Sequence, residues 1–332
     1  YVMLLLVGFL WLEGCSSTLS TWLFEKGLVK DDYRYGDLYR MANLKDFRVL
    51  KEVCASSKVS QDKNIHLVLA GDSFTEQGKI DSSNFVANSF TYIRVDGKAS
   101  IVLDTSQYNV LVIETVERHF RERFVSVWDG VSFSSKDDVN LGWKDYFKKI
   151  VAFELPYSNE LHEGVLFGYD FAMTVRGWKA SLNYYLFNRV DSHVKLNKSE
   201  EHLLYYLPSE KGISSAFDSI SDEEINDLVT HVNETLFKYK DLGFDKVILS
   251  IIPNKTSVLG TDLGEYNELI SRVQGSQALQ MPILDAYGIL NSLGQKGYEK
   301  GDTHWTCIGK QQWVDKLNEL LTQGLKNDLP EL

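Results

Sequence analysis

Two short stretches carry residue types that could together perform nucleophilic acyl chemistry. Gly71-Asp72-Ser73-Phe74-Thr75-Glu76 follows the apolar run Ile65-His66-Leu67-Val68-Leu69-Ala70, and Gly301-Asp302-Thr303-His304-Trp305-Thr306 lies near the C-terminus. A serine hydroxyl is a poor nucleophile at its free pKa. It needs a base within hydrogen-bond reach, and the base needs an orienting partner. Ser73 is the candidate nucleophile, His304 the base and Asp302 its orienter. Asp302 and His304 are two apart, so extended backbone projects them to the same side. On a bent loop the carboxylate can instead reach back to the nearer imidazole nitrogen. Each piece alone is weak, because Gly-Asp-Ser after a strand is common turn chemistry and Asp-x-His recurs by chance. Their order and context strengthen them: the serine closes a first strand and the His segment immediately precedes a last helix.

The elements that must position these residues alternate as strand, turn and helix from about residue 64. Short apolar runs predict strands at Ile65–Ala70, Phe90–Val95, Asn109–Ile113 and Lys246–Ile252, with a short fifth beginning at Pro282–Leu284. Ser221-Asp222-Glu223-Glu224 reads as a capping box. Ile225, Leu228, Val229, Val232, Leu236 and Phe237 then recur at helical spacing until Gly243, after which a strand begins at once. That is a helix-then-strand unit of a parallel sheet, and open sheets of this kind place their sites at the carboxyl ends of the strands. A last helix is expected over about 310–321. Residues 125–220 break the alternation and are dense in aromatics, among them Trp128, Trp143, Phe153, Phe171, Trp178 and Tyr185. The preferred expectation is a helical insertion with its own small core; the alternative is a set of rings lining a sugar groove.

Composition removes several classes of function. The 332 residues are 44% hydrophobic and 24% charged, a globular balance with room for one large domain or two. A net charge of −11 repels a phosphate backbone and disfavours nucleic acid as a partner. No Gly-rich phosphate loop occurs, and no His, Cys or carboxylate spacing suits a metal, so neither a cofactor nor a metal is expected. Cys54 and Cys307 could pair in an oxidising compartment, but two separate buried thiols are the preferred expectation. His66, inside the first strand, reads as a satisfied core residue, and His119 as a weak site candidate. Residues 1–24 hold one charge, Glu13, and resemble the end of a membrane-spanning anchor whose upstream part is missing. A secretory signal and a lipid-modified Cys15 are the alternatives. Either the anchor or the signal would put the rest of the chain outside the cytoplasm, in a periplasmic or extracellular space. Residues 25–63 are expected to form a stalk or collar, and 64–325 the main domain.

Gly71-Asp72-Ser73 resembles the first block of the SGNH (GDSL-type) hydrolases, and Asp302-Thr303-His304-Trp305 resembles the late block of their O-acetyltransferase branch, related to alginate acetylation proteins and DHHW-type domains. Ile113-Glu114-Thr115-Val116-Glu117-Arg118 and Ile252-Pro253-Asn254-Lys255 resemble that branch's third- and fourth-strand ends. The likeness spans about 64–124 and 221–325 and omits 125–220. It implies a three-layer α/β/α domain with a mainly parallel sheet, to which the composition adds the expected helical insertion at about 125–220 and the N-terminal transmembrane anchor. It implies an acyl-serine enzyme in which Ser73, His304 and Asp302 form the triad. Ser73 and Gly97, through their backbone N–H groups, would form the oxyanion hole. The superfamily's usual Gly-x-Asn-Asp third block is absent, so Arg118, Asn254 or Lys255 are the candidate replacement donors. Trp305 either meets substrate or packs beneath the His loop; Arg118 could equally pair with Glu114 or Glu117. The implied activity is transfer of an acetyl group to an extracytoplasmic polysaccharide, with a multi-spanning membrane acyltransferase as acetyl donor. The alternatives are an esterase using water as acceptor, and an inactive glycan-binding or scaffold protein.

Overall fold

A computed structural model describes residues 1–55, 58–76, 78–133, 159–206, 209–210 and 212–327. The helices are α1 (Val2–Gly14), α2 (Ser17–Glu25), α3 (Asp37–Ala42), α4 (Glu117–Arg123), α5 (Asn159–Phe167) and α6 (Asp170–Phe187). They continue with α7 (Asp222–Asp241), α8 (Lys255–Leu259), α9 (Leu269–Gln274), α10 (Ala286–Leu293) and α11 (Cys307–Asn327). The strands are β1 (Lys63–Gly71), β2 (Ala87–Arg94), β3 (Ala99–Ile101), β4 (Tyr108–Val116), β5 (Val131–Phe133), β6 (Val194–Leu196), β7 (Leu203–Tyr205) and β8 (Lys246–Ile252). The chain divides into two compact units. One comprises 1–51, 136–194 and 300–302; the other comprises 52–135, 195–299 and 303–332.

The larger unit is built on a parallel sheet in the order β2-β1-β4-β8. Its strands read as continuous apolar runs because both faces are covered. Val68, Ala70, Leu111, Ile113, Val247 and Leu249 pack on one side with Phe120 of α4, Leu228 and Val232 of α7, and Ile270 of α9. The alternate residues Ile65, Leu67, Leu69, Val110, Val112 and Ile248 pack on the other with Leu290 of α10 and Trp313 and Leu317 of α11. The period-2 alternation of β1 thus supplies both cores. After β1 the chain passes to β2 on one side and then returns to β4 on the other. The carboxyl end of β1 is therefore a topological switch point, where α/β sheets open a crevice.

Four of the five expected strands form; β1 and β4 extend beyond their apolar runs at both ends, and β2 begins earlier, at Ala87, and ends at Arg94. The fifth shrinks to a single parallel bridge, Leu249 to Ile283. Ser221 Oγ accepts the Glu224 N–H at 3.1 Å, whereas the Glu224 carboxylate takes Arg121 as a bidentate partner at 2.7 and 2.9 Å. Phe237, grouped above with the core face of α7, is 47% exposed. The main core also runs further than expected: Trp128 donates its indole N–H to the Val95 carbonyl at 2.9 Å, so the segment after 125 begins as part of the larger unit.

Cys54 and Cys307 are joined by a disulfide with Cα atoms 5.2 Å apart, which corrects the expectation of separate thiols. Sequence separation of 253 residues hid the pairing; only the folded chain brings the residues before β1 to the start of α11. The bond lies three residues beyond His304.

The smaller unit contains α1, α2, α3, α5 and α6. Its 26–48 stretch is a set of short turns and α3. Residues 1–24 form two helices bent by 104°, and neither is long and apolar enough alone to cross a membrane. The expected small core of the insertion is not formed by the aromatics of α6: Phe171, Trp178, Tyr185 and Phe187 are 59–81% exposed. The inward side of that helix carries Met173 and Gly177, beside Asn43 and a cluster of cations around Asp170. Asp137, Asp138, Trp143, Tyr146, Phe147, Phe153 and Tyr157 lie outside the described residues.

Replacing both Cys54 and Cys307 by Ala is expected to cost about 2–5 kcal/mol, since the bond closes a very long loop in the unfolded chain. Equilibrium urea unfolding measures this; an unchanged midpoint would show that the bond constrains nothing that unfolding releases.

Candidate active site

Ser73 sits in a tight turn at the end of β1. Gly71 is required there, because an added Cβ would fall 1.8 Å from Thr75 Oγ1. The Asp72 carboxylate shapes the turn: Oδ1 accepts the Phe74 N–H at 3.1 Å and Oδ2 accepts the Val116 N–H of β4 at 2.9 Å. On the other side Glu114 Oε2 accepts both the Asp72 N–H at 2.9 Å and the Thr75 hydroxyl at 2.8 Å. The Tyr92 hydroxyl donates to the Gly71 and Asp72 carbonyls at 3.0 and 3.2 Å. Burial pushes the pKa of that phenol up to about 12. Lys79 Nζ donates to the Ser73 carbonyl at 2.6 Å. The turn is held on every side, while the Ser73 N–H has no protein acceptor among the described residues.

His304 Nε2 lies 3.0 Å from Ser73 Oγ. When Nε2 accepts from the serine hydroxyl, Nδ1 carries the ring hydrogen. The imidazole packs on Phe74, ring centres 4.7 Å apart, and Phe74 meets Trp305 edge-on at 5.1 Å. Trp305 is buried and continues onto Trp313 at 5.7 Å, so it supports the His loop from beneath. The loop itself is pinned by an antiparallel bridge from Tyr298 to Trp305, and the Tyr298 hydroxyl donates to the Pro253 carbonyl at 3.0 Å.

Asp302 belongs to the smaller unit. Its carboxylate is fully buried; Oδ2 accepts the Asp37 N–H at 3.2 Å and stands 3.1 Å from the Lys51 ammonium. Gly97 lines the cleft in front of Ser73, but its N–H donates to the Arg94 carbonyl at 3.1 Å and closes a turn. This corrects Gly97 as an oxyanion donor: its hydrogen is already committed. Lys255 is corrected too. It is buried, and its ammonium donates to the Glu299 carbonyl at 2.5 Å, tying down the approach to the His loop rather than facing substrate. The Asn254 N–H donates to Glu117 Oε2 at 2.8 Å, and the residue lines a small pocket with Arg118 and Thr303. Arg118 pairs with neither Glu114 nor Glu117. It forms no salt bridge among the described residues and lines both that pocket and the cleft.

The cleft holds about 510 Å³ and is bordered by Ser73, Arg94, Arg118, His119, Arg123 and Trp128. His119 accordingly joins the site. Its Nδ1 lies 2.8 Å from the Gly212 carbonyl, and burial with the nearby Arg118 charge holds its pKa below the ordinary range. Arg123 bonds the Thr115 hydroxyl, and its guanidinium is buried beside the carboxyl groups of Asp72 and Glu114. Neither Arg94 nor Arg123 stood out in the sequence. A signal did exist on α4: Arg118, His119, Glu122 and Arg123 share one helical face by their spacing, while Phe120 enters the core.

Glu114 and Glu117 were missed as structural acids. Both are fully buried. Burial pushes the Glu114 carboxyl well above the ordinary range, and the Asp72 charge pushes it further. Burial raises Glu117 as well; its Oε2 takes the Ser257 hydroxyl at 2.5 Å in addition to the Asn254 N–H. His66, expected to be satisfied in the core, reaches Asn109 Oδ1 at 3.2 Å and Thr91 Oγ1 at 3.0 Å.

No protein-family model, no curated protein and no solved structure matches this chain.

A raised carboxyl pKa means that the native state holds a proton which the unfolded chain releases. Stability then falls as pH rises above about 4.3, the ordinary Glu value. Glu114→Gln keeps an acceptor for the Asp72 N–H and the Thr75 hydroxyl and removes the titration. It is expected to gain stability relative to the wild type as pH increases, read as urea midpoints across a pH series. Parallel pH profiles for the two proteins would refute the assignment. Glu114→Ala, which strands both donors, is expected to cost about 1–3 kcal/mol per donor at any pH.

Proposed function

We propose that this chain is a serine-dependent O-acetyltransferase that moves an acetyl group through an acyl-serine onto an extracytoplasmic polysaccharide. The observation that carries the reading is the 3.0 Å contact between Ser73 Oγ and His304 Nε2 at the carboxyl end of a parallel sheet, opening on a cleft. It joins the two sequence blocks that resemble the O-acetyltransferase branch of the SGNH hydrolases, 231 residues apart in the chain.

In the first half-reaction Ser73 Oγ attacks the acetyl carbonyl carbon while His304 Nε2 takes the hydroxyl proton. The carbonyl oxygen becomes an oxyanion, which the Ser73 N–H accommodates. With Gly97 committed elsewhere, Arg118 supplies the second stabilising group, as a guanidinium that shares the cleft and forms no ion pair among the described residues. Collapse breaks the bond to the leaving oxygen, which departs with the proton from His304. In the second half-reaction His304 removes the proton of an acceptor sugar hydroxyl, whose oxygen attacks the acyl-serine and regenerates Ser73. Asp302 orients the imidazole in this scheme, a role that rests on its two-residue spacing from His304.

An extracytoplasmic setting is supported by the Cys54–Cys307 disulfide, since such bonds persist in oxidising compartments. It is supported also by the charge-free apolar run at residues 1–12. The DTHW block favours transfer over hydrolysis by resemblance. The acetyl donor in this reading is a multi-spanning membrane acyltransferase. Membrane attachment is through the N-terminal segment.

The test is incubation of wild type and Ser73→Ala with a chromogenic acetyl ester and a panel of oligosaccharides, followed by mass spectrometry. Acetylated sugar dependent on Ser73 is expected. Ser73-dependent acetate release indifferent to every sugar would convert the reading to an esterase. Equal behaviour of the two proteins would overturn the enzyme reading. Arg118→Ala is expected to lower kcat by about 10²–10³ with an unchanged circular dichroism spectrum. A normal kcat would remove Arg118 from the oxyanion role.

A further inference from the structure

Helix α6 (Asp170–Phe187) is amphipathic in the reverse of the usual sense. A helix on a water-soluble body buries its large apolar residues and exposes its polar ones. Here Met173 and Gly177 are buried, and the position of a Cβ on Gly177 would lie 3.6 Å from the Asn43 carbonyl. Asp170 is bound by Lys30, Arg34 and Arg48, and Thr174 Oγ1 accepts from Arg48 at 3.2 Å. The inner side thus carries Met173 together with Gly177 and polar groups. The outer side presents Phe171, Val175, Trp178, Leu182, Tyr185 and Leu186, which are 43–81% exposed. Their spacing of four, three, four, three and one places them along one stripe. A contiguous apolar stripe of this size on a surface marks an interaction site.

We propose that this stripe lies in the boundary between headgroups and acyl chains of a lipid bilayer, as a second lipid contact in addition to the N-terminal segment. Three observations select a bilayer as occupant. The same unit exposes a second apolar surface on α1, where Val2 to Val7 are 45–82% exposed and no charge occurs from residue 1 to 12. A specific protein groove would cover one such surface, whereas a lipid phase accepts both. Second, the stripe carries Trp178, whose ring combines an apolar body with a polar edge suited to the interface, and the ring of Tyr185, 71% exposed, whose hydroxyl donates to Asp46 at 3.1 Å. Third, the unit is electrically balanced: residues 1–51, 136–194 and 300–302 contain fifteen basic and fifteen acidic side chains, so the entire −11 resides in the other unit. The smaller unit is the part of the chain that anionic headgroups do not repel, and the exposed Lys179 lies beside the stripe. This inference is independent of the acyl-transfer reading.

The experiment reconstitutes the full chain with vesicles of phosphatidylethanolamine and phosphatidylglycerol carrying bromine near the top of the acyl chains, and measures tryptophan quenching. A share of the quenching is expected to disappear in Trp178→Phe. The double variant Phe171→Ser, Leu182→Ser alters only outward side chains and is expected to keep its thermal midpoint. It should weaken vesicle binding about tenfold. Quenching that Trp178→Phe leaves unchanged would overturn the proposal. So would a dimer in sedimentation that the double variant dissociates while quenching stays the same, which would assign the stripe to a second copy of the chain.

Discussion

One buried carboxyl oxygen, Glu114 Oε2, receives both the Asp72 N–H and the Thr75 hydroxyl, and the presentation of Ser73 depends on it. These two donors flank the serine. With both satisfied, the turn cannot rotate to carry the Ser73 N–H away from the cleft. The geometry demands an acceptor in a place without water, and a carboxyl there keeps its proton because burial and the neighbouring Asp72 oppose the charge. A charged Glu114 would be costly to bury; a protonated one retains its carbonyl lone pairs for the turn.

The same segment holds a second strand end. Glu117, three residues on, accepts from the Asn254 N–H and the Ser257 hydroxyl after β8. Through Glu114 and Glu117 the end of β4 thus fastens the loops that follow β1 and β8, its two neighbours in the sheet. Lys255 and Tyr298 then tie the β8 loop to the segment leading to His304, and the disulfide secures the residues just beyond it. Hydrogen bonds that cross between elements fasten these strand ends to one another, while Glu114 Oε1, Glu117 Oε1 and Asn254 Oδ1 stay buried without a partner among the described residues.

The smaller unit follows a different logic. Its packing relies on close approach and charge: Gly14 leaves space where a Cβ would meet His162 at 2.4 Å, and Asp170 collects three cations. On α6 most of the large apolar side chains are left outward, with Met173 turned in. An arrangement of this kind is stable beside a phase that takes up apolar surface, and the division of charge between the two units agrees with that.

The sequence by itself determined what local pattern encodes. The four parallel strands, the α7 cap at Ser221 and the placing of Ser73 at a strand end were all legible, since they depend on neighbours within a few residues. The spacing in Asp302-Thr303-His304 and the resemblance of its block pointed to the histidine whose Nε2 lies 3.0 Å from Ser73 Oγ. What the tertiary structure decided were partnerships between residues far apart in the chain. Cys54 finds Cys307, Gly97 loses its N–H to a turn, Lys255 is buried on a carbonyl, and Glu114 serves Asp72 instead of Arg118. The outward stripe of α6 was equally hidden, because periodicity identifies an apolar face without saying which way it points. Burial and hydrogen-bond satisfaction are properties of the whole fold, and no short window of sequence contains them.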